Sequence, residues 1–152
     1  QAIVLVNSIP TPTPTDLEEY DSHIEGNYVF LGDLNSDYNE QYGVHGKIYE
    51  VNCTTIFVKD FSYDGSGIRV HWVVGNRTEI EKHSSNIIIP DETGSSDRIL
   101  RSYDNETFYL SFPVNKSLLD VKWLSFFCTS FNLNLGSIIL TNDYVCGSAS
   151  YY

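Results

Sequence analysis

The stretch Val121-Lys122-Trp123-Leu124-Ser125-Phe126-Phe127-Cys128-Thr129-Ser130-Phe131-Asn132-Leu133-Asn134-Leu135-Gly136 decides the fold class. Phe127, Phe131, Leu133 and Leu135 share one parity, while Ser130, Asn132 and Asn134 share the other. Apolar and polar residues therefore alternate with the period of a half-buried strand. The same stretch poses the functional question, because Cys128 lies inside it. A thiol in such a strand is core filler, half of a disulfide, or a redox group.

The rest of the chain has the same texture. From Gly26 onward, short apolar and aromatic runs are cut by Gly, Asn and Asp about every ten residues, as antiparallel sandwiches and barrels require. Strands are expected near 27–34, 43–52, 55–61, 68–74, 86–90, 97–102, 106–112, 121–128 and 130–140. Turns are expected at Tyr63-Asp64-Gly65-Ser66-Gly67, at Asp91-Glu92-Thr93-Gly94 and at Tyr103-Asp104-Asn105-Glu106. No helical periodicity longer than two turns and no internal repeat is evident. The expected fold is all-β, a single antiparallel β-sandwich or barrel-like domain with an N-terminal extended strand arm. Its expected core includes Phe57, Val58, Trp72, Val74, Trp123, Phe131, Leu133 and Leu135.

That arm occupies residues 1–9, with Ala2, Ile3, Val4, Leu5 and Val6 consecutively apolar. Residues 10–15 alternate proline and threonine, which forbids helix and ladder alike and makes a stiff linker. With Ile9 this spacer extends over roughly 20 Å. Residues 16–152 form the domain, opening with an acidic run at 16–21. An apolar strand on a stiff spacer must dock somewhere. Residues Ala2 to Val6 are expected to add to the sheet of a neighbouring copy in preference to folding back, giving a homo-oligomer or an extracellular filament.

Twenty acidic against nine basic side chains give a net charge of −11 and a pI near 4.5. Nucleic acid and anionic membranes are repelled by such a surface, so neither is expected as a partner. No run approaches the ~18 apolar residues of a membrane span. Four Asn-x-Ser/Thr sequons, at Asn52, Asn76, Asn105 and Asn115, fall where turns or outward strand positions are expected. With three cysteines and few lysines, they predict a secreted or cell-surface glycoprotein bearing sugars at two or more of these sites. An N-terminal glutamine fits cleavage by a signal peptidase.

Five motifs in order carry a family resemblance. They are Gly43-Val44-His45-Gly46-Lys47-Ile48-Tyr49; Thr55-Ile56-Phe57-Val58-Lys59-Asp60-Phe61-Ser62-Tyr63-Asp64-Gly65; the strand from Trp72 to Gly75; Ile88-Ile89-Pro90-Asp91-Glu92-Thr93-Gly94-Ser95; and Val121-Lys122-Trp123-Leu124-Ser125-Phe126-Phe127-Cys128. Over about residues 40–140 the chain resembles a DM13 domain. The resemblance implies a small extracellular β-domain of the kind found beside DOMON domains in animal surface and matrix proteins. It also implies that Cys128 is the family's characteristic cysteine, with a role in redox chemistry or in holding a prosthetic group such as haem. The chain departs from the family pattern in its N-terminal arm, in Cys53 and Cys146, and in Phe127, where a second tryptophan is common.

The residues themselves weigh these roles differently. Cys53 follows the acceptor Asn52, so a sugar-bearing Asn52 facing water turns Cys53 inward. Pairing Cys53 with Cys146 would close a large loop, worth ~4 kcal/mol in the chain-entropy model, and leave Cys128 free. Pairing Cys128 with Cys146, or free and intermolecular thiols, remain open. A reactive thiolate needs a nearby cation or helix N-terminus, and only Lys122 stands close in sequence to Cys128. A small buried hydrophobe is the better reading of that residue. Haem would need a second axial ligand from His23, His45, His71 or His83, and none recurs at ligand spacing with another. His71 is expected to face water and His45 to hydrogen-bond within its turn. Zinc, phosphate-loop and nucleophile-elbow motifs are absent from the sequence. Asp60, Ser62 and Asp64 lack the remainder of a calcium loop. The tyrosines at 20, 28, 38, 42, 49 and 63 read as sheet packing before they read as a sugar platform. No catalysis, metal or cofactor is expected. The reading is a secreted structural or interaction module that self-associates, with a redox or haem-binding electron-transfer module built on Cys128 as the alternative.

Overall fold

A computed structural model describes residues 27–147. The N-terminal arm, the proline linker and the acidic run at 16–21 lie outside those residues. Eight strands follow in order: β1 (Val29–Asp33), β2 (His45–Asn52), β3 (Thr55–Tyr63), β4 (Val70–Gly75), β5 (Ile87–Ile89), β6 (Tyr103–Ser111), β7 (Trp123–Cys128) and β8 (Leu133–Ile139). They form two four-stranded sheets, ordered β1-β2-β3-β6 and β5-β4-β7-β8, with every pairing antiparallel. A β-sandwich is the result. One side is partly closed, because Asn35 and Ser137 exchange both backbone hydrogen bonds at 3.0 Å and tie the exit of β1 to β8. Among the described residues no helix is long and apolar enough to cross a membrane.

Alternation explains which face each strand buries. Ile56, Val58 and Phe61 of β3 turn inward to meet Trp72 and Val74 of β4 and Leu124, Phe126 and Cys128 of β7. The rings form the centre of this core. Phe61 lies 5.0 Å from Phe126, 5.1 Å from Trp72 and 5.1 Å from Tyr103, in tilted and edge-on arrangements that aromatic quadrupoles prefer. Phe126 also touches Tyr63 and Trp72, each at 4.8 Å. Thus two strands of the first sheet and two of the second converge on one ring.

The second sheet is covered on its outer face as well. Val73, Trp123 and Phe127 make a separate buried cluster there, with Ile80 from the 76–86 connection packed against it. The Trp123 indole nitrogen donates to the Arg77 carbonyl at 2.9 Å, which pins that connection over the sheet. Gly75 sits directly opposite Trp123, and a Cβ there would lie 2.2 Å from the indole ring. Both faces of β7 are therefore buried, and its sequence reads as a continuous apolar run for that reason.

Four sequence expectations are corrected. Tyr103-Asp104-Asn105-Glu106, expected as a turn, instead opens strand β6, where Tyr103 pairs with Tyr63 and Glu106 with Phe61 and only Asn105 takes a left-handed φ of 54°. Residues 97–102 form no strand; ion pairs from Arg98 and Arg101 and the Asp91 turn hold them as a loop from which Leu100 is buried. Phe131 is not core but 59% exposed, at the tip of the β7–β8 turn, where Asn132 takes a φ of 53°. Phe127 and Leu135 do not share a face, because the register shifts between Phe126 and Phe127 against Gly136 and Asn134, leaving Leu135 as an extra residue in β8. Phe57, Val58, Trp72, Val74, Trp123 and Leu135 are buried as expected, and Leu133 is partly buried. Trp123→Ala should cost about 3–5 kcal/mol, the usual loss for a large aromatic cavity. Chemical denaturation checks this, and an unchanged midpoint would contradict the burial of that ring.

Candidate functional site

Cys128 closes β7 with its side chain in the main core and none of its surface exposed. Its thiol donates to the Ile68 carbonyl at 2.9 Å. Ile68 belongs to the 64–69 loop between β3 and β4, and that loop is fastened at several points. The Asp64 carboxylate accepts from the Ser66 amide at 2.8 Å and its hydroxyl at 2.7 Å. The Gly67 amide donates to the Tyr63 hydroxyl oxygen at 2.8 Å. The Arg69 carbonyl accepts from the Thr129 amide at 2.9 Å and the Thr129 hydroxyl at 2.8 Å. Gly67 has no room for a side chain, since a Cβ would lie 2.5 Å from Val70 and 2.7 Å from the Tyr63 oxygen.

Burial pushes the Tyr63 hydroxyl up to about 12, against the opposing pull of the Gly67 amide, and the charge of Asp64 adds to the rise. Tyr63 is thus neutral across the physiological range and serves as an anchor for the loop.

The histidines do not assemble around the thiol. His45 is exposed and places Nε2 3.2 Å from Glu40. His83 shares a 2.8 Å hydrogen bond with Ser85. His71 pairs in register with Phe127 on the outer face of the second sheet, opposite to Cys128. It is half-buried, not fully solvated as expected, and its pKa is lowered by burial and then by Arg69. His23 lies outside the described residues. Among the described residues no three His, Cys, Asp or Glu side chains gather as metal ligands do. Haem does not fit Cys128 either: the sulfur faces packed side chains, and clefts of about 250–560 Å³ are lined by other residues.

At the other pole, Cys53 and Cys146 form a disulfide with Cα atoms 5.2 Å apart. Beside it stands a group that the sequence did not disclose. Glu50, with none of its surface exposed, accepts from the Tyr144 hydroxyl and from the Gly147 amide at 2.7 Å. The Tyr144 hydroxyl is raised well above its ordinary value by burial and then by this bond. Glu50 thereby clamps the C-terminal segment over the end of the sandwich. β3 runs from one pole to the other, a strand of nine residues extending at most roughly 26 Å at ~3.3 Å per residue, with the disulfide near its first end and the thiol near its last.

Asp91 in the Pro-Asp-Glu-Thr-Gly turn is a structural organiser. One oxygen accepts from the Thr93 amide at 2.8 Å, the Thr93 hydroxyl at 2.6 Å and the Ser95 amide at 3.1 Å; the other accepts from Arg98 Nε at 2.8 Å. Burial pushes this carboxyl up, but the hydrogen bonds from Thr93, Ser95 and Arg98 outweigh it and hold the pKa below the ordinary value. Asn52, Asn76, Asn105 and Asn115 are all exposed.

Comparison with known proteins agrees with this geometry in one respect. The family model described as electron transfer DM13 matches residues 33–140, which span every strand but the first residues of β1. The chain is 37% identical over 97 residues to Protein Skeletor, isoforms B/C, and to Protein Skeletor, isoforms D/E, of Drosophila melanogaster. Those matches cover 64% of this chain but only 12% and 6% of the two relatives. No solved structure matches significantly.

A carboxyl whose folded pKa is depressed stabilises the fold above its unfolded pKa, and that contribution is lost as pH falls through the folded value. Asp91→Asn should therefore lower stability at pH 7 by about 1–3 kcal/mol, with Arg98 partly solvated, and flatten the loss of stability as pH falls below about 4. Thermal melts across that range check it; parallel curves for both proteins would contradict the assigned role. Removing the disulfide by Cys53→Ser with Cys146→Ser should cost about 2–5 kcal/mol and leave Cys128 unpaired, as thiol counting after unfolding would show.

Proposed function

The chain belongs to the DM13 family, and on that premise we propose that it is a secreted, non-enzymatic module of a larger protein, working through its surfaces. The burial and hydrogen bonding of Cys128 carry this reading. A nucleophilic or electron-transferring thiol needs thiolate character and access, and this sulfur is sealed and donates its proton to a backbone carbonyl. Disulfide Cys53–Cys146 supports an oxidising compartment. Self-association through residues 2–6 belongs to the same reading, yet the described edges offer poor templates for an added strand. β5 has three residues, β1 is bulged between Phe30 and Gly32, β8 is bridged by Asn35, and β6 carries the left-handed Asn105. A binding surface on a rigid, folded module is the form of the proposal that these edges favour.

A second reading has a specific observation behind it. Two cysteines are paired while the family cysteine is kept free, and the family description names electron transfer. In that reading, the 64–69 loop opens to present Cys128. Alkylation of the native protein separates the two. Under the module reading, Cys128 reacts with iodoacetamide no faster than global unfolding allows, and denaturant raises the rate in step with the unfolded fraction. Reaction far ahead of unfolding, insensitive to low denaturant, would replace the module reading with the electron-transfer one.

A further inference from the structure

We propose that Asn52, Asn76 and Asn115 carry N-linked glycans that crown the disulfide pole of the sandwich. The inference rests on the reading that the chain passes through the secretory route. Nothing in the sequence order foretells the grouping, since the three sequons lie far apart along the chain. The fold brings them to one end. Asn52 is the last residue of β2, Asn76 follows the last residue of β4, and Asn115 lies in the connection from β6 to β7. Backbone bonds lace these segments together: the Leu118 amide to the Cys53 carbonyl at 2.8 Å, the Phe112 amide to the Thr54 carbonyl at 2.9 Å, and the Lys122 amide to the Gly75 carbonyl at 2.7 Å. A cleft of about 560 Å³ at this end is lined by both Asn76 and Lys116, the middle residue of the Asn115 sequon.

Each acceptor is presented for modification. All three are exposed, and Asn115 stands on a tight turn with a φ of 66°, where the Lys116 amide bonds the Pro113 carbonyl at 3.1 Å. Asn52 Oδ1 accepts from the Thr54 amide at 2.9 Å and the Thr54 hydroxyl at 3.0 Å, and Asn76 Oδ1 accepts from Ser85 at 3.4 Å. These bonds end on oxygen and leave the amide nitrogen to carry the sugar. In the transfer, Nδ2 attacks the anomeric carbon of a lipid-linked oligosaccharide. The C–N bond forms, the bond to the lipid diphosphate breaks, and Nδ2 loses one proton. Asn105 differs in position: it lies in β6 near the opposite end of β3, with its amide on Ser62 and its sequon hydroxyl, Thr107, accepting from Asp60. A sugar there stands apart from the crown.

Hydrated glycans over the disulfide pole would cover the 560 Å³ cleft and direct any protein partner to the sheet faces. The test uses the full chain, delivered to the lumen of eukaryotic microsomes behind a cleavable signal, with site mapping by the Asn-to-Asp mass change on enzymatic deglycosylation. Conversion at Asn52, Asn76 and Asn115 is expected. Acylation of Lys116 should be several-fold slower before deglycosylation than after, while Lys47 on the first sheet is unaffected. Unmodified pole asparagines in a luminal chain, or a Lys116 rate that deglycosylation does not change, would overturn the crown. Expression without an added signal, scored by whether the natural precursor reaches the medium, tests the secretory reading separately.

Discussion

The contact of Phe61 with Phe126 and Trp72 across the sandwich is the constraint on which the other features depend. It joins β3 of one sheet to β4 and β7 of the other, the strands that lie innermost in their sheets. Because each ring sits in an edge-on or tilted contact with its neighbours, a shift of one residue in any of these strands would turn it away from the core. Cys128 follows Phe126 by two residues and shares its inward face. The position of the thiol is thus a consequence of the aromatic packing, and its sealing is completed by the loop that follows Tyr63.

Sulfur chemistry is divided between the two ends of the molecule. The disulfide closes one pole together with Glu50 and Tyr144, while the free thiol lies under the 64–69 loop at the other. Their places near opposite ends of β3 prevent thiol–disulfide exchange within the folded domain, since that reaction requires direct attack of one sulfur on another. A protein that folds with one bridge and one thiol therefore keeps both, provided the loop stays closed. The grouping of three sequons at the bridged pole adds a second asymmetry in the same direction.

Much of this was readable from local pattern. Short aromatic runs and Gly, Asn and Asp turns predicted an all-β fold, and the turn at Asp91 was visible in Asp-Glu-Thr-Gly, where Gly94 takes a φ of 87°. Phe131 was misread because period-2 alternation extends through a turn as easily as through a strand, and Asn132 breaks the ladder without breaking the pattern. The bulge at Leu135 has no signature in residue type, so Phe127 and Leu135 read as one parity although they pack on opposite faces of the second sheet. Glu50 was missed for another reason: a glutamate reads as solvent-facing, and its burial depends on Tyr144, which no local window includes. Likewise the seal over Cys128 joins Tyr63, Gly67, Ile68 and Thr129, whose convergence only the paired strands determine.

The central claim is that the loop over Cys128 is part of the cooperative core and not a separately opening flap. Residue-resolved native-state hydrogen exchange tests it most directly. The Gly67 amide, held by Tyr63, and the Thr129 amide, held by Arg69, should exchange at the same free energy as the Leu124 and Val73 amides of the central strands. Exchange of Gly67 and Thr129 at a free energy several kcal/mol below those strand amides would contradict the account, because the thiol would then be presented without unfolding.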